Sequence, residues 1–136
     1  MTLKKGDWQL TWTQTYALTH TIDQTPGTEN IGNRLPYIPL HKWSNTFKMS
    51  NLRQKWSWQY QHGVTGARFT LTDNSAELPM YQTGSFSASY DWYLNQKINL
   101  RFDIRVNNLW NVDYEIVQGY PMPLRYGELV ISLLSL

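Results

Sequence analysis

From Lys97 to Trp110 the chain reads KINLRFDIRVNNLW, with Ile98, Leu100, Phe102, Ile104 and Val106 alternating against Lys97, Asn99, Arg101, Asp103, Arg105 and Asn107. Successive side chains of a strand leave opposite faces, so a period of two predicts a β-strand with one apolar and one charged face. The same period recurs along the chain. Between Asp7 and Thr19, Trp8, Leu10, Trp12, Tyr16 and Leu18 alternate with Gln9, Thr11, Thr13 and Thr15. Between Leu40 and Ser50, Trp43, Phe47 and Met49 oppose Lys42, Ser44, Thr46 and Lys48. WSWQYQHGVT, from Trp56 to Thr65, puts Trp56, Trp58, Tyr60 and Val64 on one side, and from Tyr81 to Tyr93 Phe86, Ala88, Tyr90 and Trp92 face away from Ser85, Ser87, Ser89 and Asp91. A last strand is expected in RYGELVISLL, although LVI and LL interrupt its period. The pattern predicts an all-β, antiparallel up-and-down meander of about six strands without a helix.

The connections alternate in length. Residues 20–39, 66–79 and 110–124 are rich in Gly, Pro, Asn and Thr and read as long loops, whereas NLRQK after Ser50 and LNQ after Tyr93 are short turns. In a meander this rhythm puts every long loop at one end of the sheet and every turn at the other, the asymmetry of outer-membrane barrels. Trp8, Trp56, Trp58, Tyr90 and Trp92 all fall towards the turn end, where an interfacial girdle would sit. The apolar faces are expected to meet lipid and the charged faces to line a wet lumen, with Arg101, Asp103 and Arg105 forming a charge ladder with cross-strand partners.

Composition sharpens this reading mainly by exclusion. The chain has 136 residues, a net charge of +2 and no cysteine, which removes disulfides and thiolate chemistry. Seven Trp and nine Tyr are the outlier, suited to surfaces half dry and half wet. A mean hydropathy of −0.51 carries little weight, because alternating spanning strands average to a polar score. The opening MTLKKGDWQL has no apolar run to make a signal peptide, and no apolar stretch is long enough for a spanning helix. His20, His41 and His62 lie in different segments, and Asp73, Glu77, Asp113 and Glu115 sit in or beside loops without a partner set. HGVTGARFT lacks the helix start a phosphate cradle needs. Neither an enzyme, a cofactor nor a metal site is expected. NNLWNVDY is expected to be structural, its Asn and Asp satisfying turn backbone groups. Tyr114, Tyr120, Met122 and Arg125, in or beside the third loop, are the candidate substrate contacts, against the alternative of a self-packed loop.

Three segments resemble the C-terminal end of TonB-dependent outer-membrane receptors. GNRLPYIPLHKWS (Gly32–Ser44) is similar to the entry of a late barrel strand in that family. TDNSAELPMYQTGSFSASYDW (Thr72–Trp92) resembles the loop and strand that follow, and VNNLWNVDYEIVQGYPMPLRYGELVIS (Val106–Ser132) resembles the last hairpin, with its Asn-Leu-Phe-Asp/Asn-x-x-Tyr motif and Arg-led final strand. Together these cover nearly all of the chain from Gly32, and the last is the most specific. The resemblance implies a 22-stranded barrel in the bacterial outer membrane that imports ferric siderophores, cobalamin or similar scarce solutes. Its implied partners are outer-membrane lipid, the rest of the barrel and its plug, and TonB through an N-terminal part. Two departures stand out: Leu124 occupies a position where Gly is common, and the chain ends in ISLLSL where the family usually ends on an aromatic residue. Residues 1–136 are therefore expected to be one segment, the last strands of a receptor whose plug domain and earlier strands are absent, and to be insoluble without detergent.

The alternative is a soluble β-barrel binding a small apolar ligand, with the apolar faces turned inward around a cavity. A single-stranded nucleic-acid binder would also use exposed aromatics, but 12 basic against 10 acidic residues, unclustered, argue against one.

Overall fold

The computed structural model describes residues 1–95 and 98–135. In chain order the strands are β1 (Thr2–Lys5), β2 (Trp8–Leu18), β3 (His41–Asn51), β4 (Trp56–Thr65), β5 (Arg68–Phe69), β6 (Glu77–Leu78), β7 (Tyr81–Tyr93), β8 (Ile98–Asn107), β9 (Glu115–Val117), β10 (Tyr120–Pro121) and β11 (Tyr126–Ser135). Strands β1, β2, β3, β4, β7, β8 and β11 form one antiparallel meander in that spatial order, and β5–β6 and β9–β10 are small hairpins within long loops. The described residues contain no helix. Gln96 of the expected turn, Lys97 of the expected fifth strand and the terminal Leu136 lie outside the described residues.

The meander has seven strands rather than the six expected. β1 escapes a periodicity search because four residues with Leu3 as the one apolar side chain carry no period. Gly6, at φ 57°, supplies the left-handed turn that folds β1 onto β2. The long-short rhythm holds. Residues 6–7 and 52–55 connect strands at one end, where β7 also ends and β8 begins; Leu52 N–H donates to the Asp7 carbonyl at 2.9 Å, tying the two turns together. Residues 19–40, 66–80 and 108–125 connect them at the other.

The register arranges the apolar positions in rows across the sheet. Trp8, Asn51, Trp56, Tyr90, Phe102 and Ile131 share one row. Leu10, Met49, Trp58, Ala88, Ile104 and Leu129 make the next, followed by Trp12, Phe47, Tyr60, Phe86, Val106 and Gly127. The interrupted period of β11 resolves here: Leu129, Ile131 and Leu133 join the apolar rows, and Val130 faces Asp103 on the other side. Rings lean across intervening strands, so that Trp8 meets Trp56 edge-on at 5.2 Å above the small Asn51. Trp12 stacks on Phe47 at 5.7 Å and Phe47 on Tyr60 at 6.5 Å. Such pairs add about 0.5–1.5 kcal/mol each beyond their buried area.

The opposite face is almost entirely polar. Gln59, Ser87, Arg105 and Glu128 form one of its rows, and Ser57, Ser89 and Asp103 part of another. The expected charge ladder is present in part: Arg101 Nε lies 3.5 Å from the cross-strand Asp91 and 3.8 Å from Asp103 on its own strand, and Ser89 Oγ donates to Asp103 at 2.6 Å, whereas Arg105 stands in register with Glu128 without an ion pair among the described residues. A hollow of about 640 Å³ opens on this face and is lined from Gln9 on β2 to Arg101 on β8. Four strand spacings separate those two, about 19 Å in a flat sheet, so the sheet curls towards its polar side.

Among the described residues no second layer covers either face. Among the described residues the one buried apolar side chain is Leu78, in a loop hairpin, while Asn45, Asn51, Arg68, Thr70, Asn99 and Asn108 are buried. Leu129, Ile131, Leu133, Ile104, Trp92 and Tyr90 are about half exposed or more. The accessible surface of 9578 Å² exceeds the roughly 7,400 Å² typical of a compact chain of this mass. The fold is a single wall without a core of its own. Its backbone pairing is therefore most secure in the middle. Amides of β4 and β7 are expected to exchange most slowly in detergent and those of β1 fastest, since β1 reaches only from Trp8 to Thr11 along β2. Hydrogen exchange read by mass spectrometry checks this, and equal protection of β1 and β4 would contradict the topology.

Candidate functional site

The long-loop end of the sheet is built from three loops that grip one another. The first, residues 19–40, closes on itself through the Ile22–Arg34 bridge and the Asp23 N–H to Asn33 carbonyl bond of 2.8 Å. It then clasps the second, residues 66–80, through Asn74. The Asn74 side chain accepts from Arg34 N–H at 2.8 Å and donates back to the Arg34 carbonyl at 2.8 Å. Tyr37 N–H donates to the Phe69 carbonyl at 2.7 Å, and the Arg34 guanidinium lies 5.4 Å from the Phe69 ring centre.

Arg68 joins the second loop to the third, residues 108–125. Its side chain is buried, donates to the Pro79 carbonyl at 3.4 Å and to the Glu115 carbonyl, and lies 5.0 Å over the Tyr81 ring. Tyr81 in turn stacks on Tyr114 at 4.3 Å. No local pattern in GARFT announces this role, because all of Arg68's partners are distant in sequence or in other loops.

NNLWNVDY proves to be the rim fitting of the third loop. Asn108 is buried in a left-handed conformation (φ 49°), which Asn tolerates better than most residues. Its side chain accepts from Val112 N–H at 2.9 Å and donates to the Val112 and Pro123 carbonyls at 2.8 and 3.2 Å. Asn111 (φ 55°) accepts from Arg125 N–H at 2.9 Å. Trp110 then bends over the apolar face, edge-on to His62 at 5.1 Å and to Tyr60 at 6.4 Å. It lies flat enough over Gly84 that a Cβ there would be 2.5 Å from the indole. The glycine in YQTGSFSASY was the available signal, since a strand glycine marks a close approach. Trp110 thereby covers the most polar row of that face, Gln14–Asn45–His62–Gly84.

The candidate substrate contacts divide. Tyr114 and Met122 meet at a hollow of about 310 Å³ on the polar side of the rim, together with Gln61, Thr83, Asn107 and Tyr126. No charged side chain lines it, so it suits a neutral ligand able to exchange hydrogen bonds with amides and hydroxyls. Burial, with Tyr81 and Tyr126 nearby, raises the Tyr114 phenol above its ordinary value. Tyr120 and Arg125 do not join them; both are exposed, and Tyr120 leaves the loop in the β9–β10 hairpin. Asp23 and Asp73 act within their own turns. Hydrogen bonds from the side chain two residues on, Thr25 or Ser75, and then from that residue's N–H hold both carboxyls below the usual range.

No family model matches this chain, and no curated protein matches it in sequence.

The packing of Trp110 on Gly84 carries a measurable consequence. Gly84→Ala forces the indole off the sheet and is expected to cost about 1–3 kcal/mol, read as a lowered unfolding midpoint in detergent. In the Trp110→Ala background the same change is expected to cost far less, because the clash is gone. Additive losses would show that the two do not pack.

Proposed function

We propose that the chain forms the last strands of a larger transmembrane barrel of the TonB-dependent receptor kind. It then serves in the uptake of a scarce solute, such as a ferric siderophore or cobalamin, across the bacterial outer membrane. The observation that carries this is the two-faced wall: an exposed apolar face, a concave polar face and two open edges. A water-soluble sheet with this pattern would bury its apolar side, whereas a barrel wall turns that side to lipid and its polar side to the lumen. From Trp92 to Gln82 along β7 the apolar rows and the Tyr16–Trp43 row above them run ten residue steps, about 33 Å. At the usual barrel tilt that becomes a height of about 25 Å, matching the apolar band of outer-membrane barrels.

The open edges support the same reading. β11 presents a long unpaired edge flanked by Leu129, Ile131 and Leu133, and unpaired backbone is costly in lipid, so neighbouring strands have to complete the wall. Seven is odd, and an antiparallel barrel closes without a parallel seam on an even count, so the remainder contributes an odd number. TonB would act through a part of the receptor outside these strands. The resemblance of Gly32–Ser44, Thr72–Trp92 and Val106–Ser132 to the family's last strands supplies the name of the barrel, and the neutral hollow at Tyr114 and Met122 supplies a place at its mouth. The apolar-ligand carrier is disfavoured because the apolar residues lie away from the concave side.

Fractionation of native cells tests the proposal. An antibody against residues 20–34 is expected to detect a band several times heavier than 16.0 kDa in the outer membrane, and disruption of its gene to starve cells of one scarce solute. A 16.0 kDa band in the soluble fraction would contradict it.

A further inference from the structure

The hollow at Tyr114 and Met122 lies between the third loop and the polar face of the sheet. Gln61 stands opposite Ser85 and Gly63 opposite Thr83 across β4 and β7, and Asn107 stands opposite Tyr126 across β8 and β11; all of them line it. Gly63 keeps it open, since a Cβ there would meet no atom within 4 Å. Its volume of about 310 Å³ is at the small end of the range for small-molecule sites.

The loop wall of this hollow is fixed in advance, which lowers the ordering cost of binding. Tyr114 stacks on Tyr81 at 4.3 Å, and its carbonyl accepts from Met122 N–H at 2.9 Å. Asn108 uses its side-chain amide within the loop, on Val112 and Pro123, and Asn107 donates to Glu128 at 3.3 Å. Five other polar side chains of the lining are uncommitted. Gln61, Thr83, Ser85, Tyr114 and Tyr126 make no side-chain hydrogen bond among the described residues, and none of them is buried. Each carries both a donor and an acceptor.

We infer that this hollow binds a neutral saccharide unit of the imported solute. The inference rests on the barrel reading above, which puts the hollow at the mouth of the lumen. The uncommitted groups select the ligand class. An ion would find no opposite charge in the lining. An apolar solute would displace water from four hydroxyls and an amide and leave them unpaired, which is costly. A sugar ring meets both conditions: its hydroxyls donate and accept, and its C–H face packs on a phenol ring such as Tyr114 or Tyr126.

The test uses the whole protein isolated from native cells and measures saturation-transfer NMR with the methyl glycosides of glucose, galactose, mannose and N-acetylglucosamine. Transfer to at least one of them is expected. Gly63→Leu should abolish it by filling the hollow, and the fold should survive because that position is open. Gln61→Ala and Ser85→Ala should each weaken binding about three- to tenfold. Gln59→Leu, on the same face of β4 but outside the lining, should leave it unchanged. Transfer to none of the four sugars, or transfer that survives Gly63→Leu, would overturn the inference. Equal or stronger transfer to N-acetylglycinamide, a neutral amide without hydroxyls, would also overturn it, by assigning the hollow to peptide. A protein recovered from the outer membrane that binds no sugar sinks this inference alone. Recovery from the soluble fraction sinks the barrel reading, and with it the sugar's place as imported solute.

Discussion

An apolar sheet face with nothing to lie against is the constraint on which the rest of this structure depends. Hydrogen-bonded strands satisfy one another's backbone groups, and here they do so across seven strands in unbroken register. They leave the indoles, leucines and isoleucines of one side uncovered, since the described residues provide no second layer to receive them. Hydrophobic burial supplies most of the driving force in ordinary domains, at about 25 cal/mol for each Å² removed from water. This wall has to obtain it from its surroundings. The inverted burial follows directly: among the described residues the sequestered side chains are four asparagines, an arginine, a threonine and Leu78, on strands as well as in loops, while the large apolar residues stand outside.

The two rims complement the wall in different ways. At the turn end, short connections and Asn51 keep the edge tight, and basic residues stand beside aromatic ones. At the loop end, three long connections are fastened by polar side chains acting on backbone: Asn74 between the first two, Arg68 between the second and third, Asn108 within the third. Trp110 grips the outer face of the rim at Gly84, while Tyr114 and Met122 of the same loop overhang the inner face. One loop thus clasps both faces of the sheet.

How much of this was legible in the sequence depended on range. The central strands could be read almost to the residue, because alternation is a local signal. β1 was missed because four residues are too few to carry a period, and β11 was blurred because Val130 is an apolar residue on the polar side. Asn108 and Asn111 were recognisable as turn chemistry from NNLWN alone. Arg68 was not, since its partners Pro79, Tyr81 and Glu115 are brought to it only by the fold. Of the four loop residues singled out, Tyr114 and Met122 converge on a hollow. Tyr120 and Arg125 do not, because the β9–β10 hairpin carries Tyr120 outward and Arg125 is engaged through its backbone at Asn111.

The central claim is that the apolar face meets lipid. The chain contains no cysteine, so single cysteines along β8 can each carry a spin label without background, and accessibility can be compared between oxygen dissolved in the membrane and a water-soluble nickel complex. Labels at positions 100, 102, 104 and 106 should respond to oxygen, and those at 101, 103 and 105 to nickel, in strict alternation. Labels at the apolar positions that respond to nickel, or to neither reagent, would place that face in water or in a packed core and contradict the account.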